Sequence, residues 1–285
     1  MKIHMNRKSR ERIERFDSHA ELAAGRPADA APAEERAREE EKPCESRAQG
    51  LAVCALTDIG MVRRSNQDSL ICAGNLFGVA DGMGGHLGGE IASGLARDTL
   101  VARLKGAEPS EEALRAGIDA ANSAVFVRSE EDPDVHGMGT TMTVLWFGAE
   151  SVILGHVGDS RCYRLTGGRL EQVTRDHSMV MEMVRAGVLT AEQAAVHPMR
   201  NVITRAVGTD PETEADVQTL PRTPGALWLV CSDGLHGMVG DAEIAEILKG
   251  EGEDSDRAHR LLEAALTAGG HDNISLVLVR EEDTP

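Results

Sequence analysis

Ser69-Leu70-Ile71-Cys72-Ala73-Gly74-Asn75-Leu76-Phe77-Gly78-Val79-Ala80-Asp81-Gly82 contains two short apolar runs joined by a two-residue turn. Gly74-Asn75 is the kind of dipeptide that closes a β-hairpin, so residues 69–73 and 76–80 read as antiparallel neighbours. The second run ends on Asp81 beside Gly82. A carboxylate at a strand end is exposed and rigidly based, and a following glycine lets the backbone carbonyl approach a cation with no Cβ in the way. The arrangement recurs. Cys231-Ser232-Asp233-Gly234 closes the apolar run 227–231, His271-Asp272-Asn273 precedes the run 274–279, and Asn66-Gln67-Asp68 precedes the hairpin itself. A single Asp-Gly pair is an ordinary turn. Four acidic strand ends can converge on one point, and hard divalent cations such as Mg²⁺ and Mn²⁺ favour such an oxygen-rich, water-retaining cluster. The pattern predicts a carboxylate-held metal centre.

Around this hairpin the chain keeps to two textures. Residues 51–57 read as a strand, 90–104 show helical spacing, and Pro109-Ser110-Glu111-Glu112 opens a second helix, with a cap and an acidic first turn, that runs to about residue 128. Strands then follow in succession at 140–147, 152–157, 161–165 and 170–173, the last two joined by Thr166-Gly167-Gly168. Helical segments over 179–186 and from Thr190 lead into a loop over 197–209. Strands at 217–220 and 227–231, helices at 241–248 and 254–268, and a strand at 273–280 complete the chain. Strands in hairpin runs and helices in pairs, without strict alternation, give an α+β fold with antiparallel sheets covered by helices.

Residues 1–50 are rich in Arg, Glu, Ala and Pro and include the mixed-charge block Glu34-Glu35-Arg36-Ala37-Arg38-Glu39-Glu40-Glu41. Such a segment buries too little apolar surface to offset its ordering entropy. The expected organisation is a disordered charged tail over 1–50 and one domain over 51–283. A net charge of −17 opposes non-specific binding to nucleic acid or to an anionic membrane. The five cysteines are scattered and form no C-x-x-C pair, which suggests a reducing compartment and no structural zinc. The first residues carry no apolar signal region, and no apolar run is long enough to span a bilayer. The cytoplasm is the expected location.

Seven motifs, in order and suitably spaced, resemble those of the metal-dependent serine/threonine protein phosphatases (type 2C, bacterial branch). They are Thr57-Asp58-x-Gly60-x-x-Arg63-x-x-Asn66-Gln67-Asp68, Ala80-Asp81-Gly82-Met83-Gly84-Gly85-His86, Gly139-Thr140-Thr141, Val157-Gly158-Asp159-Ser160-Arg161, Thr174-Arg175-Asp176-His177-Ser178, Cys231-Ser232-Asp233-Gly234 and Asp272-Asn273-Ile274. The resemblance spans residues 51–281. It implies a four-layer sandwich of two antiparallel β-sheets flanked by pairs of antiparallel α-helices, with two Mn²⁺ or Mg²⁺ ions at its centre. It further implies that Asp81 bridges both ions, that Asp233 and Asp272 hold one, that the Gly82 carbonyl helps hold the other, and that Asp68 acts through bound waters. Arg63 matches the family's phosphate-binding arginine, and the guanidinium fork suits a phosphomonoester dianion. Asp81 and Arg63 are thus the expected catalytic residues. The implied substrates are phosphoserine and phosphothreonine in proteins, with a cognate Ser/Thr kinase as the opposing partner and a monomer as the working form.

Other matched residues read differently. Asp176, His177, Ser160 and Arg161 read as hydrogen-bonded scaffold, and Asp159 belongs either to that scaffold or beside the centre. Residues 178–207 correspond to a flap that influences substrate choice in the family. Some relatives hold a third, weaker ion, for which Asp134 and Asp132 are equal candidates. Gln67 stands where some members have Glu. Met83 stands where eukaryotic members have a His proposed as general acid, so either a metal-bound water or His86 must protonate the leaving alkoxide. His156 stands where Asn is common. A pseudophosphatase that binds phosphoproteins without turnover is the rival reading; intact Arg63, Asp81, Asp233 and Asp272 oppose it. Members that dephosphorylate anti-sigma-factor antagonists offer a narrower role, against which the flap favours the general bacterial branch.

Overall fold

The computed structural model describes residues 44–48, 50–85 and 87–282. The expected tail up to residue 43 and the candidate His86 lie outside the described residues. Several strands are buried along most of their length, including Met142–Phe147 and Leu227–Cys231. Their apolar runs therefore do not alternate with polar residues as they would in a sheet with one wet face. The reason is layering. Val53, Ala55, Phe77, Val79, Leu145, Phe147, Val152, Leu154, Trp228, Val230, Val277 and Val279 meet in one cluster, while their strand neighbours point the other way toward helices.

One sheet runs β1 (Cys44–Ala48), β2 (Leu51–Asp58), β12 (Ile274–Glu281), β11 (Leu227–Cys231), β8 (Arg161–Thr166) and β9 (Arg169–Gln172) in spatial order. The other runs β10 (Asp216–Pro221), β7 (Ser151–Val157), β6 (Met142–Phe147), β4 (Leu76–Met83) and β3 (Asp68–Ala73), with β5 (Gly139–Thr140) paired to β4. All these pairings are antiparallel. Helices α1 (Gly88–Leu104) and α2 (Glu111–Glu131) pack Ala96, Leu100, Leu114 and Ile118 onto the outer face of the second sheet. Helices α6 (Asp241–Lys249) and α7 (Asp254–Thr267) place Ile244, Leu248, Leu261 and Ala265 on the outer face of the first. The result is the expected α+β sandwich of helix pair, sheet, sheet and helix pair.

Between β9 and β10 the chain carries two short helices, α3 (Met179–Arg185) and α4 (Ala191–Ala195). Thr190 caps the second with a full capping box to Gln193. Ser110 caps α2 by accepting a bond from the Ala113 N–H. Three local features differ from the sequence expectation. Residues 44–48, expected within the disordered tail, form β1 because their backbone pairs with the edge of β2. The strand expected over 140–147 is interrupted at Thr141, opposite Asp81. There the Thr141 N–H donates to the Asp81 carbonyl, but the return bond from the Asp81 N–H goes to the Thr141 hydroxyl at 2.9 Å. A one-turn helix, α5 (Asp233–His236), also starts where only a turn was expected. Among the described residues no helix is long and apolar enough to cross a membrane.

Candidate active site

Asp68 opens β3 and Asp81 lies near the end of β4, directly opposite it in the ladder. Two like charges facing across strands are destabilising on their own. The other sheet supplies two more: Asp233 is the first residue of α5, just past β11, and Asp272 lies just ahead of β12. β11 and β12 are neighbours, so these two ends emerge side by side. The two sheets thus bring Asp68, Asp81, Asp233 and Asp272 to one place. Asp81 feels the charges of Asp68, Asp233 and Asp272, and its carboxyl lies within hydrogen-bonding reach of that of Asp233.

Burial followed by mutual repulsion dominates the electrostatics. It pushes Asp81 well above the ordinary carboxylate range. Burial pushes Asp68 up to about 7, with Asp233 and Asp272 adding to the shift against hydrogen bonds that oppose it. Asp233 rises to about 6 through burial and the charge of Asp272. Asp159, at the turn after β7, joins the cluster: burial, then the charge of Asp233, raises it well above its usual range. Such a group of buried carboxylates stabilises strongly only with cationic charge among them.

Neutral groups fix the positions of these acids. The Ser232 hydroxyl donates to Asp68 Oδ2 at 2.8 Å and accepts from the Ser275 N–H at 3.0 Å. The Thr140 hydroxyl donates to the Asp81 carbonyl at 2.9 Å, and Thr141 Oγ1 lies 2.8 Å from Ser160 Oγ. Asn273 ties the loop over 59–67 to the root of β12. Its Oδ1 accepts from the Gln67 N–H at 2.9 Å, and its Nδ2 donates to the Ile59 and Ser65 carbonyls at 3.0 and 2.9 Å. That loop carries Arg63, whose Nη2 donates to Asp272 Oδ2 at 2.6 Å while the side chain stays about half exposed. Ser232, Thr141 and Asn273 have no assigned role in the sequence, although each adjoins or faces a carboxylate at a strand end.

Gly82 has a packing reason beside the one its sequence suggests. A Cβ there would sit 2.0 Å from the Gly89 carbonyl oxygen and 2.5 Å from that of Gln67, so glycine is required for packing against the start of α1. Gly234 is required in the same way, 2.0 Å from the Asn273 carbonyl oxygen. Asp132 and Asp134 follow the C-terminal end of α2, where Asp132 pairs with Arg128 at 2.8 Å and accepts from the Asp134 N–H. The structure brings Asp159 to the cluster, while Asp132 caps the turn that holds Asp134 and leads to β5 beside β4. Arg161 forks onto both oxygens of Asp176. His177 accepts the Gly158 N–H at Nδ1 and stacks on buried His156 with 4.7 Å between ring centres. His156 in turn bridges Thr143 Oγ1 and the Arg175 carbonyl. These residues frame the β7–β8 turn and the root of the segment that follows.

The donor set suits a hard cation. It consists of oxygen atoms, and the buried Oδ1 atoms of Asp68 and Asp159 have no hydrogen-bond partner in the protein. Among the described residues no three Asp, Glu, His or Cys side chains close into a ready-made cage. Mg²⁺-like ions do not need one, because they keep several waters and take one or two carboxylates each.

The sequence profile described as protein phosphatase 2C matches residues 63–265. The chain is 42% identical over 231 residues to the serine/threonine protein phosphatase PstP of Mycobacterium tuberculosis, covering 80% of this chain and 44% of that protein. It thus spans less than half the length of that relative. It is 37% identical over 243 residues to the serine/threonine phosphatase stp of Listeria monocytogenes, covering 80% and 95% of the two chains. Among solved structures, the PstP catalytic domain in complex with two manganese ions superposes with a TM-score of 0.75 at 39% identity, over 82% of this chain and 99% of that one. Stp1 of Staphylococcus aureus superposes with a TM-score of 0.78 at 33% identity, over 84% and 100%.

Proposed function

The chain belongs to the protein phosphatase 2C family, and on that premise we propose that it hydrolyses phosphoserine and phosphothreonine in proteins at a centre of two Mn²⁺ or Mg²⁺ ions. The observation that carries this is the convergence of Asp68, Asp81, Asp233 and Asp272 from two sheets beside the Arg63 guanidinium. When bound, the ions supply Lewis acidity and lower the pKa of a water for in-line attack on phosphorus. Asp81 would hold both ions, Asp233 and Asp272 one, and the Gly82 carbonyl the other, while Asp68 would act through bound waters. Asp159, next to Asp233, is assigned to any additional ion. Thr141 and Ser232 hold Asp81 and Asp68 in place, which limits reorganisation during the reaction. Arg63 orients the phosphate with the N–H groups it does not spend on Asp272.

The phosphatase domain is assigned to residues 51–283, with β1 as an added edge strand. The partners are phosphoproteins and, in opposition, a Ser/Thr kinase; a cytoplasmic monomer is the working form. The test is hydrolysis of p-nitrophenyl phosphate and of phosphoserine, phosphothreonine and phosphotyrosine peptides across a Mn²⁺ titration. Turnover that requires added metal and is abolished by Asp81→Asn or Asp233→Asn is expected. Absence of turnover at saturating Mn²⁺ would refute it and favour a phosphoprotein-binding module.

A further inference from the structure

We propose that Val62 and Met61 form an apolar shelf that receives the side chain next to the phosphorylated residue of a protein substrate, so that the enzyme favours phosphoproteins with an apolar neighbour at that position. The inference rests on the phosphatase reading and adds a specificity determinant to it. Val62 is 57% exposed and Met61 53%, and both precede Arg63 directly. Scattered exposed apolar residues are ordinary. These two are consecutive, and they sit on a loop that cannot fold them away.

The loop is pinned along its length. Gly60 has a φ of +78°, and a Cβ on it would lie 2.2 Å from the Asp272 carbonyl oxygen. The Gly60 N–H donates to Asp58 Oδ1 at 2.7 Å, and the Met61 N–H donates to the Gly270 carbonyl at 2.8 Å. Asn273 Nδ2 holds the Ile59 and Ser65 carbonyls on either side. The pinned turn leaves Met61, which lies against Gly270, and Val62 at the surface next to the residue whose guanidinium reaches Asp272. Successive Cα atoms are about 3.8 Å apart, and an extended peptide advances about 3.3–3.6 Å per residue. A phosphoresidue whose phosphate engages Arg63 therefore has its immediate neighbours within reach of Val62 and Met61. An apolar neighbour loses water there together with the valine, whereas a polar one gains no partner.

The experiment uses the full chain at saturating Mn²⁺, with phosphoserine peptides that differ only in Leu or Ser immediately before or after the phosphoserine. p-Nitrophenyl phosphate, which has no neighbour, is the control. The wild-type protein is expected to favour Leu over Ser on one side by roughly fivefold in kcat/KM, through KM. Met61→Ser/Val62→Ser is expected to lose that preference while p-nitrophenyl phosphate turnover is retained. Met61→Leu/Val62→Leu is expected to keep both. A wild type with no preference, or a serine variant that retains it, overturns the shelf while leaving the phosphatase reading intact. A serine variant that loses p-nitrophenyl phosphate turnover, joined by a leucine variant that loses the preference, also overturns it, because the residues would then be scaffold. Failure of the wild type to hydrolyse p-nitrophenyl phosphate at any Mn²⁺ concentration overturns the reading beneath it.

Discussion

Asn273→Ala isolates what holds the site together without touching an acidic residue. Asn273 is 3% exposed, and its side chain makes three hydrogen bonds, to the Gln67 N–H and to the carbonyls of Ile59 and Ser65. At about 1 kcal/mol net per bond, the substitution costs on the order of 3 kcal/mol, with stranded buried partners pushing the figure upward. A domain of ordinary stability, about 5–15 kcal/mol, stays folded under that loss. The functional effect is separate from the stability effect. The loop released at 59–67 bears Arg63 and leads directly into Asp68. A misplacement of about 1 Å costs roughly 10²-fold in rate, so a loss of one to two orders of magnitude in kcat/KM for p-nitrophenyl phosphate is expected, with a raised Mn²⁺ requirement.

Asn273→Asp sharpens the test. It keeps the acceptor for the Gln67 N–H but sets a carboxylate oxygen against the Ile59 and Ser65 carbonyls and adds negative charge beside Asp272. It is expected to be worse than alanine in both stability and Mn²⁺ requirement, although it is nearly isosteric. Urea denaturation gives the stability difference from the shift in midpoint at constant m, and a Mn²⁺ titration of initial rates gives the functional one. Wild-type midpoint and wild-type metal requirement in Asn273→Asp would refute the reasoning.

Asp81→Asn should abolish metal-dependent turnover and yet raise the melting temperature in chelator by a few degrees, because it relieves repulsion with Asp68 and Asp233; calorimetry with and without Mn²⁺ measures both. Arg63→Lys should lower kcat/KM for p-nitrophenyl phosphate by roughly tenfold and Arg63→Ala by more, since an ammonium keeps the charge but not the planar fork; steady-state kinetics decides. His156 is buried, and that burial, reinforced by the charge of His177, lowers its pKa to about 4 from 6.5. The unfolded chain therefore takes up the proton first, and the contribution is complete above about pH 6.5 and lost as pH falls toward 4. The loss is on the order of 3 kcal/mol over that window, and His156→Asn should flatten that part of a urea stability profile measured from pH 7.5 to 4.5.

The hairpin over 69–80 was legible because its turn chemistry is local, and the cap at Ser110 and the helix start at Thr190 were legible for the same reason. Asp81, Asp233 and Asp272 stood out because a carboxylate beside glycine or asparagine at the end of an apolar run is a local signal too. The places where sequence fell short are those settled by distant partners. Cys44–Ala48 carries no apolar period, since an edge strand needs only one neighbour, here β2 in the register Cys44 to Ala55. Asp159 adjoins Asp233 because β8 and β11 pair with Arg161 opposite Cys231, a register that no spacing along the chain reveals. Gly82 stood out beside Asp81, but its packing duty did not: its missing Cβ also makes room for Gly89 and Gln67. The His156 site, without explanation in the sequence, is a bridge from Thr143 to the Arg175 carbonyl beneath His177.

The way the acids are held bears on how the ions are taken up. Three of the four acids have a neutral anchor on the carboxylate or its backbone: Thr141 for Asp81, Ser232 for Asp68, the Asn273 N–H for Asp272. The anchors come from both sheets, and Ser232 spans them by joining β11 and Ser275 to Asp68 on β3. These bonds fix the acids' positions from within the protein, so ion affinity should respond to substitutions at Ser232 and Thr141 that leave every acid in place. The sheets must also keep their relative position, because Asp68 and Asp81 belong to one and Asp233 and Asp272 to the other. That duty falls on the inter-sheet layer, where Phe147 meets both Phe77 and Trp228 edge to face and Trp228 donates its indole N–H to buried Glu281. A layer with specific ring geometry and a satisfied polar handle fixes one sliding position between sheets, which a layer of aliphatic side chains would fix less sharply.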